Sequence, residues 1–127
     1  VSFKPIAKGF SIDGLYSAFR FDWDESFVFA GESHNFWEIV FVESGAVEAT
    51  EDENIYTLFA GNLIFHAPME FHRIKSFGGN SPKGLILSFS ASGELPEMIT
   101  RGVFTLDPTQ TMEYVRIAQK AVELAQA

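Results

Sequence analysis

"NFWEIVFVE", Asn35 to Glu43, is apolar at most of its positions. On an extended strand successive side chains alternate between faces. Phe36, Glu38, Val40 and Val42 then share one face, and Trp37, Ile39 and Phe41 share the other. An antiparallel strand that is apolar on both faces must be covered on both. One cover is the remainder of a barrel. The second must come from outside it.

The flanking sequence supplies the barrel. Around this stretch lie "LYSAFRF", "FVFA", "AVEAT", "IYTLF", "NLIFHA", "FHRIKSF" and "KGLILSFSA", separated by "DWDES", "ESG", "EDEN", "AGN", "APME" and "GGNSP". The breaks are rich in Gly, Asn, Asp and Pro, each of which favours turns for its own backbone reason. Eight short strands at this spacing predict an antiparallel barrel or sandwich.

The outer cover is predicted at the C-terminus. In "DPTQTMEYVRIAQKAVELAQA", Asp107 is placed as N-cap, Pro108 at the first helical position and Gln110 at the third, as in a capping box. Two apolar stripes follow at helical spacing. One is Val115, Ala118, Val122 and Ala125; the other is Tyr114, Ile117, Ala121 and Leu124. A helix packed on one surface needs a single stripe about 100° wide. Two stripes suggest either two surfaces, the barrel and a partner, or one wide buried face. The first stripe is taken as the dimerisation face.

Bulk properties bound the function. The chain has 127 residues, the length of one domain, with 46% apolar residues and 14 Phe, enough for a packed core. It has no Cys, which excludes disulfides and thiolate metal sites and fits a cytoplasmic setting. No apolar run is long enough to span a membrane, and "VSFKPIAKGF" lacks the pattern of a signal peptide. A net charge of −8 argues against phosphate-backbone binding by this chain. The chain begins without Met and ends at "LAQA" without a helix stop signal, so a longer parent is expected.

The histidines carry the functional reading. There are three: His34, His66 and His72. In "FHRIKS" the charged Arg73 and Lys75 should face water, so His72 and Ile74 point inward. Glu32, His34 and Glu38 alternate, and fall on one face if the chain there is extended. With His72 they offer two carboxylates and two imidazoles, suited to a divalent transition metal (Zn, Mn, Fe or Ni) or to a polar ligand. Two other readings stand beside this one: Glu32 solvated at a strand start, and Glu38 a buried, hydrogen-bonded structural acid. His66 has parity opposite to Leu63 and Phe65 and is expected to stay outside the cluster. No Gly-rich phosphate loop or nucleophile elbow is present.

These residues resemble the two cupin signatures. His34, Glu38 and Gly45 match the second His, the Glu and the closing Gly of the first signature, while Glu32 and Ser26 replace its first His and leading Gly. Gly61 and His72 match the second signature, and Ala67, Met69 and Ser76 replace its Pro, Gly and Asn. "HNFWEIVFVESG" and the stretch that follows are similar to the N-terminal sensing and dimerisation cupin of AraC-type transcription regulators.

The resemblance implies a mainly β fold: a cupin-like antiparallel β-barrel of jelly-roll type over residues 1–106, then an α-helix over 107–127. It implies a small-molecule effector held by His34, Phe36, Glu38 and His72, with a metal at Glu32, His34, Glu38 and His72 as an option. It also implies a homodimer through the helix, and DNA contact only through a helix-turn-helix part that this chain does not contain. A small metal-dependent cupin enzyme is the runner-up, and a ligand-free dimerisation scaffold the third reading.

Overall fold

The computed structural model describes residues 9–93, 95 and 97–127. The signal-peptide reading of the first residues falls mostly outside them. Among the described residues nine strands form two antiparallel sheets that face each other. They are β1 (Ser11–Asp22), β2 (Val28–Glu32), β3 (Trp37–Ser44), β4 (Ala46–Glu51), β5 (Asn54–Phe59), β6 (Asn62–His66), β7 (His72–Ser76), β8 (Lys83–Ser92) and β9 (Val103–Thr105). One sheet has the order β1-β8-β3-β6-β9 and the other β2-β7-β4-β5. Each of the eight stretches read as strands overlaps one of β1 to β8. The short β9 and a single 3-10 turn at Glu97–Ile99 were not foreseen.

α1 (Pro108–Gln126) starts as its sequence dictates. Asp107 accepts from the Gln110 backbone N–H at 2.7 Å, and the Asp107 backbone N–H donates to Gln110 Oε1 at 3.0 Å. The reciprocal pair satisfies two N–H groups that the first helical turn leaves without partners. Among the described residues no helix is long and apolar enough to cross a membrane.

β3 is covered on both faces, as its composition requires. Val40 and Val42 join Phe21, Val47, Leu58, Ile64, Ile74 and Ile86 between the sheets. Ile39 and Phe41 join Ala18, Leu85, Phe89, Ala118 and Val122 between the five-stranded sheet and α1. Phe41 packs on Tyr114 with ring centroids 5.1 Å apart. Arg20 ties the rim of this seam, donating to Gln119 on the helix and pairing with Glu43 on β3.

The helix corrects one expectation. Ala118 and Val122, assigned to a dimer face, are buried against the chain's own sheet, and Val115 packs at the same seam. Ala125 is exposed. In the other stripe Ile117 is 53% exposed and Leu124 68%, while Tyr114 and Ala121 pack in the seam.

Candidate functional site

Register lines up polar residues at one level of the interior. In the five-stranded sheet Ser17 pairs with Ser88, Ser88 with Glu38, and Glu38 with His66. In the four-stranded sheet Glu32 pairs with His72, and His72 with Glu51. The two rows meet face to face. The next level is apolar: Ile86, Val40 and Ile64 oppose Phe29, Ile74 and Ala49. The interior is therefore layered, polar at one end and greasy below.

Glu32 reaches this layer by a bulge, not by simple alternation. Phe29 pairs with Ile74 and Glu32 with His72, so β2 carries one residue more than its partner. The extra residue turns Glu32 to the inner side. Gly31 makes the bulge possible: its φ is +118°, and a Cβ there would lie 2.5 Å from the Phe71 ring. Residues 33–36 then form a connection rather than strand. The expectation that Glu32, His34 and Glu38 share one face of one strand is thus corrected. They come from β2, the connection and β3, and converge because the chain changes sheets between them.

The cluster is tight. His72 Nε2 lies 3.2 Å from Glu38 Oε2 and 3.9 Å from Glu32 Oε1, and His34 Nε2 lies 3.7 Å from Glu32 Oε1. His34 Nδ1 is 3.0 Å from the Phe36 carbonyl, and its ring stacks on Phe36 at 3.8 Å. His72 Nδ1 is 3.3 Å from the Glu70 carbonyl. Ser88 Oγ approaches Glu38 Oε1 at 3.4 Å. Nε2 of His34 is buried without a hydrogen-bond partner, whereas Nε2 of His72, also buried, has the Glu38 carboxylate 3.2 Å away as its ion-pair partner. A buried polar atom without a partner is expensive unless something fills the space beside it.

His66 is the second correction. It is 1% exposed, lines the interior, and stacks on His72 with centroids 4.5 Å apart. Its parity with Ile64 was read correctly. The error was in taking Leu63 and Phe65 as the inner face, when they face the helix side. His66 Nδ1 also meets Glu70 Oε1 at 3.2 Å. Beyond it lies Glu51, only 5% exposed, which the sequence reading did not single out.

Electrostatics follow from this geometry. Burial pushes the Glu38 carboxyl up, but pairing with His72 and the nearby His66 and His34 hold it below the usual range. Burial pushes His72 down, and pairing with Glu38 more than reverses this, so its pKa is raised. The Glu51 carboxyl is pushed up to about 8, first by burial and then by the neighbouring Glu70 and Asp52.

Two donor sets fit a cation. The ligand atoms of Glu32, His34 and His72 lie within 4.8 Å of one another, as do those of Glu51, His66 and Glu70. The first set adds two buried imidazole nitrogens, so imidazole and carboxylate donors suited to a divalent transition metal are in place there. Glu38 stands beside that set. Next to the polar layer is a cavity of about 380 Å³, lined on its apolar side by Phe19, Trp23, Phe27, Phe29, Val40 and Ile74. Phe36 also lines it. Of the four residues read as ligand-binding, Phe36, Glu38 and His72 therefore line the cavity, and His34 sits behind Phe36.

Comparison with known proteins agrees with this architecture. Residues 16–124 match the family described as AraC-like ligand binding domain. The fold resembles a cupin 2 domain-containing protein from Halorhodospira halophila (17% identity, TM-score 0.52), over 82% of this chain and 66% of that one. It resembles a cupin 2 conserved barrel domain protein from Rhodopseudomonas palustris (17% identity, TM-score 0.51), over 95% and 85%. It also resembles an oxalate decarboxylase from Bacillus subtilis (14% identity, TM-score 0.51), over 81% of this chain but only 29% of that one. These likenesses establish the cupin-like fold. No curated protein sequence matches the chain.

Proposed function

This chain belongs to the AraC-like ligand-binding domain family, and from that premise we propose that it is the effector-sensing module of a transcription regulator, binding a small molecule inside the barrel. The observation that carries the reading is the juxtaposition of a cavity with a buried layer of carboxylates and imidazoles, in which His34 Nε2 has no hydrogen-bond partner. His34, Glu38 and His72 would hold the polar end of the effector, with Glu32 at the edge and Phe36 against its side. The same donors would hold a divalent metal, which would serve as a Lewis acid or an anchoring point for the effector. A sensor needs no turnover, and the family match favours it over the enzyme reading that the decarboxylase likeness suggests.

The five-stranded sheet is the route by which binding would reach the helix. On β1, β3 and β8, alternate residues serve opposite faces. Ser17, Phe19, Glu38, Val40, Ile86 and Ser88 line the cavity. Ala18, Ile39, Phe41, Leu85 and Phe89 pack in the helix seam. A ligand that favours one arrangement of these strands biases the helix by its differential affinity and no more. The exposed Ile117 and Leu124 would pair with a second copy, and DNA contact would belong to a separate part of the regulator.

A thermal-shift screen of small metabolites against wild type and a His34→Ala/His72→Ala variant tests this. A specific effector at 100 times its Kd should stabilise wild type by about 2.7 kcal/mol. The variant should remain folded and lose the shift. An equal shift in the variant would place the ligand elsewhere.

A further inference from the structure

The cavity wall is sorted by chemistry. Its polar side chains, Ser17, Glu32, Glu38, His66, His72 and Ser88, all belong to the two facing rows at one end. The rest of the wall is aromatic or aliphatic. Trp23 is stacked with Phe21 at 4.0 Å and with Phe27 at 3.9 Å, so this part of the wall is a pile of aromatic rings. The lining includes two carboxylates and no Arg or Lys.

We infer that the ligand of this cavity is a small hydrophobic amine: a flat apolar body of one or two rings bearing a single protonated nitrogen. The inference rests on the effector-binding reading above and names the class of effector. The body follows from the wall. A sugar would press hydroxyls against Trp23, Phe27 and Ile74, and each buried hydroxyl left unpaired costs roughly 1–3 kcal/mol. A planar ring instead buries its apolar area against the aromatic wall and can meet ring edges there. The size follows from the volume, about 380 Å³, near the low end for small-molecule pockets.

The head follows from the charges. An anion would face Glu32 and Glu38, with His66 and His72 but no Arg or Lys on the wall to meet it. An ammonium group brings three donors and no acceptor. Glu32 Oε1 and Glu38 Oε2, which lie 3.9 Å and 3.2 Å from His72 Nε2, are carboxylate oxygens able to accept them.

The test is a matched series on chelator-treated protein at pH 8, read by calorimetry and tryptophan emission. 2-Phenylethylamine, 2-phenylethanol and phenylacetate share one ring and differ in the head, and glucose serves as the polyol. The amine should bind at least about tenfold tighter than the alcohol, a difference of 1.4 kcal/mol, with the acid and glucose weaker still. Glu32→Gln, at a half-exposed position that leaves the core intact, should bring the amine to the level of the alcohol. Tightest binding by phenylacetate or glucose would overturn the amine class and leave the effector reading standing. So would a preference for phenylacetate that appears only on adding Zn²⁺, since the head would then be a metal ligand. Failure of all four, together with an empty thermal-shift screen, would overturn both readings.

Discussion

The five-stranded sheet has two buried sides, and they differ in what they bury. Toward the helix, Ile39, Phe41, Leu85, Phe89, Ala118 and Val122 make an apolar seam. Its one orphaned polar atom is the Tyr114 hydroxyl, whose pKa burial raises. Toward the other sheet, the same strands carry a polar layer of imidazoles and carboxylates beside a cavity. One residue along the strand separates the two. The seam is what a helix needs to stay docked, whereas the interior keeps charge and empty space that close packing would have removed. Stability is concentrated on one side of the sheet and chemistry on the other.

The largest test of this division is a charge placed on each helix stripe. Val122→Glu puts an unpaired carboxylate into the seam and should cost more than about 3 kcal/mol or abolish folding. Ile117→Glu, at an exposed position, should change stability by less than about 0.5 kcal/mol. It should weaken self-association measured by sedimentation. Chemical denaturation of the two variants separates the roles: similar losses would mean that the helix is not docked through Val122.

A smaller effect is expected from the interior layer, through pH. The folded Glu51 carboxyl titrates near 8, well above the ordinary 4.5 that it regains on unfolding. Between those values the folded state holds the extra proton, so stability falls as pH rises from about 4.5 through 8. Glu51→Gln should remove this slope: nearly neutral at pH 5, stabilising by roughly 1–3 kcal/mol at pH 8.5. Glu38 works in the opposite sense. Its lowered pKa contributes stability above 4.5 that is lost in acid, and raised His72 contributes below 6.5 and loses it as pH rises. A Glu51→Gln benefit confined to acid pH would show that this carboxyl is solvated.

The smallest effect concerns the loop that carries His66 toward His72. Met69 has φ +68° and is 66% exposed, and its backbone N–H donates to the His34 carbonyl at 2.7 Å. It stands where the cupin signature has Gly, the residue that adopts this conformation without strain. Met69→Gly should relieve about 1 kcal/mol, seen as a rise in denaturation midpoint with ligand affinity unchanged.

Much of this was legible in advance because it depends on local rules. Strand alternation gave both faces of β3, and turn residues placed β1 to β8. Asp107, Pro108 and Gln110 marked the helix start to the residue. What failed was what only register decides. Parity sorted His66 with Ile64, but nothing local said which of the two faces of β6 was interior, since both are apolar. The bulge at Gly31 depends on Phe71, forty residues on. The burial of Glu51 depends on its pairing opposite His72. Likewise, the two apolar helix stripes did not say which of their residues would pack on the chain's own sheet.

All three histidines sit in the interior layer, so their ring nitrogens report on it alone. Nitrogen-15 NMR of the imidazoles, followed while titrating the compound that gives the largest thermal shift, tests the division most directly. The account predicts large shifts at His34 and His72, a smaller one at His66, and no direct contact to the side chains of Ala118 and Val122 in the seam. Saturable binding that leaves the three imidazoles unmoved while perturbing the helix would contradict it.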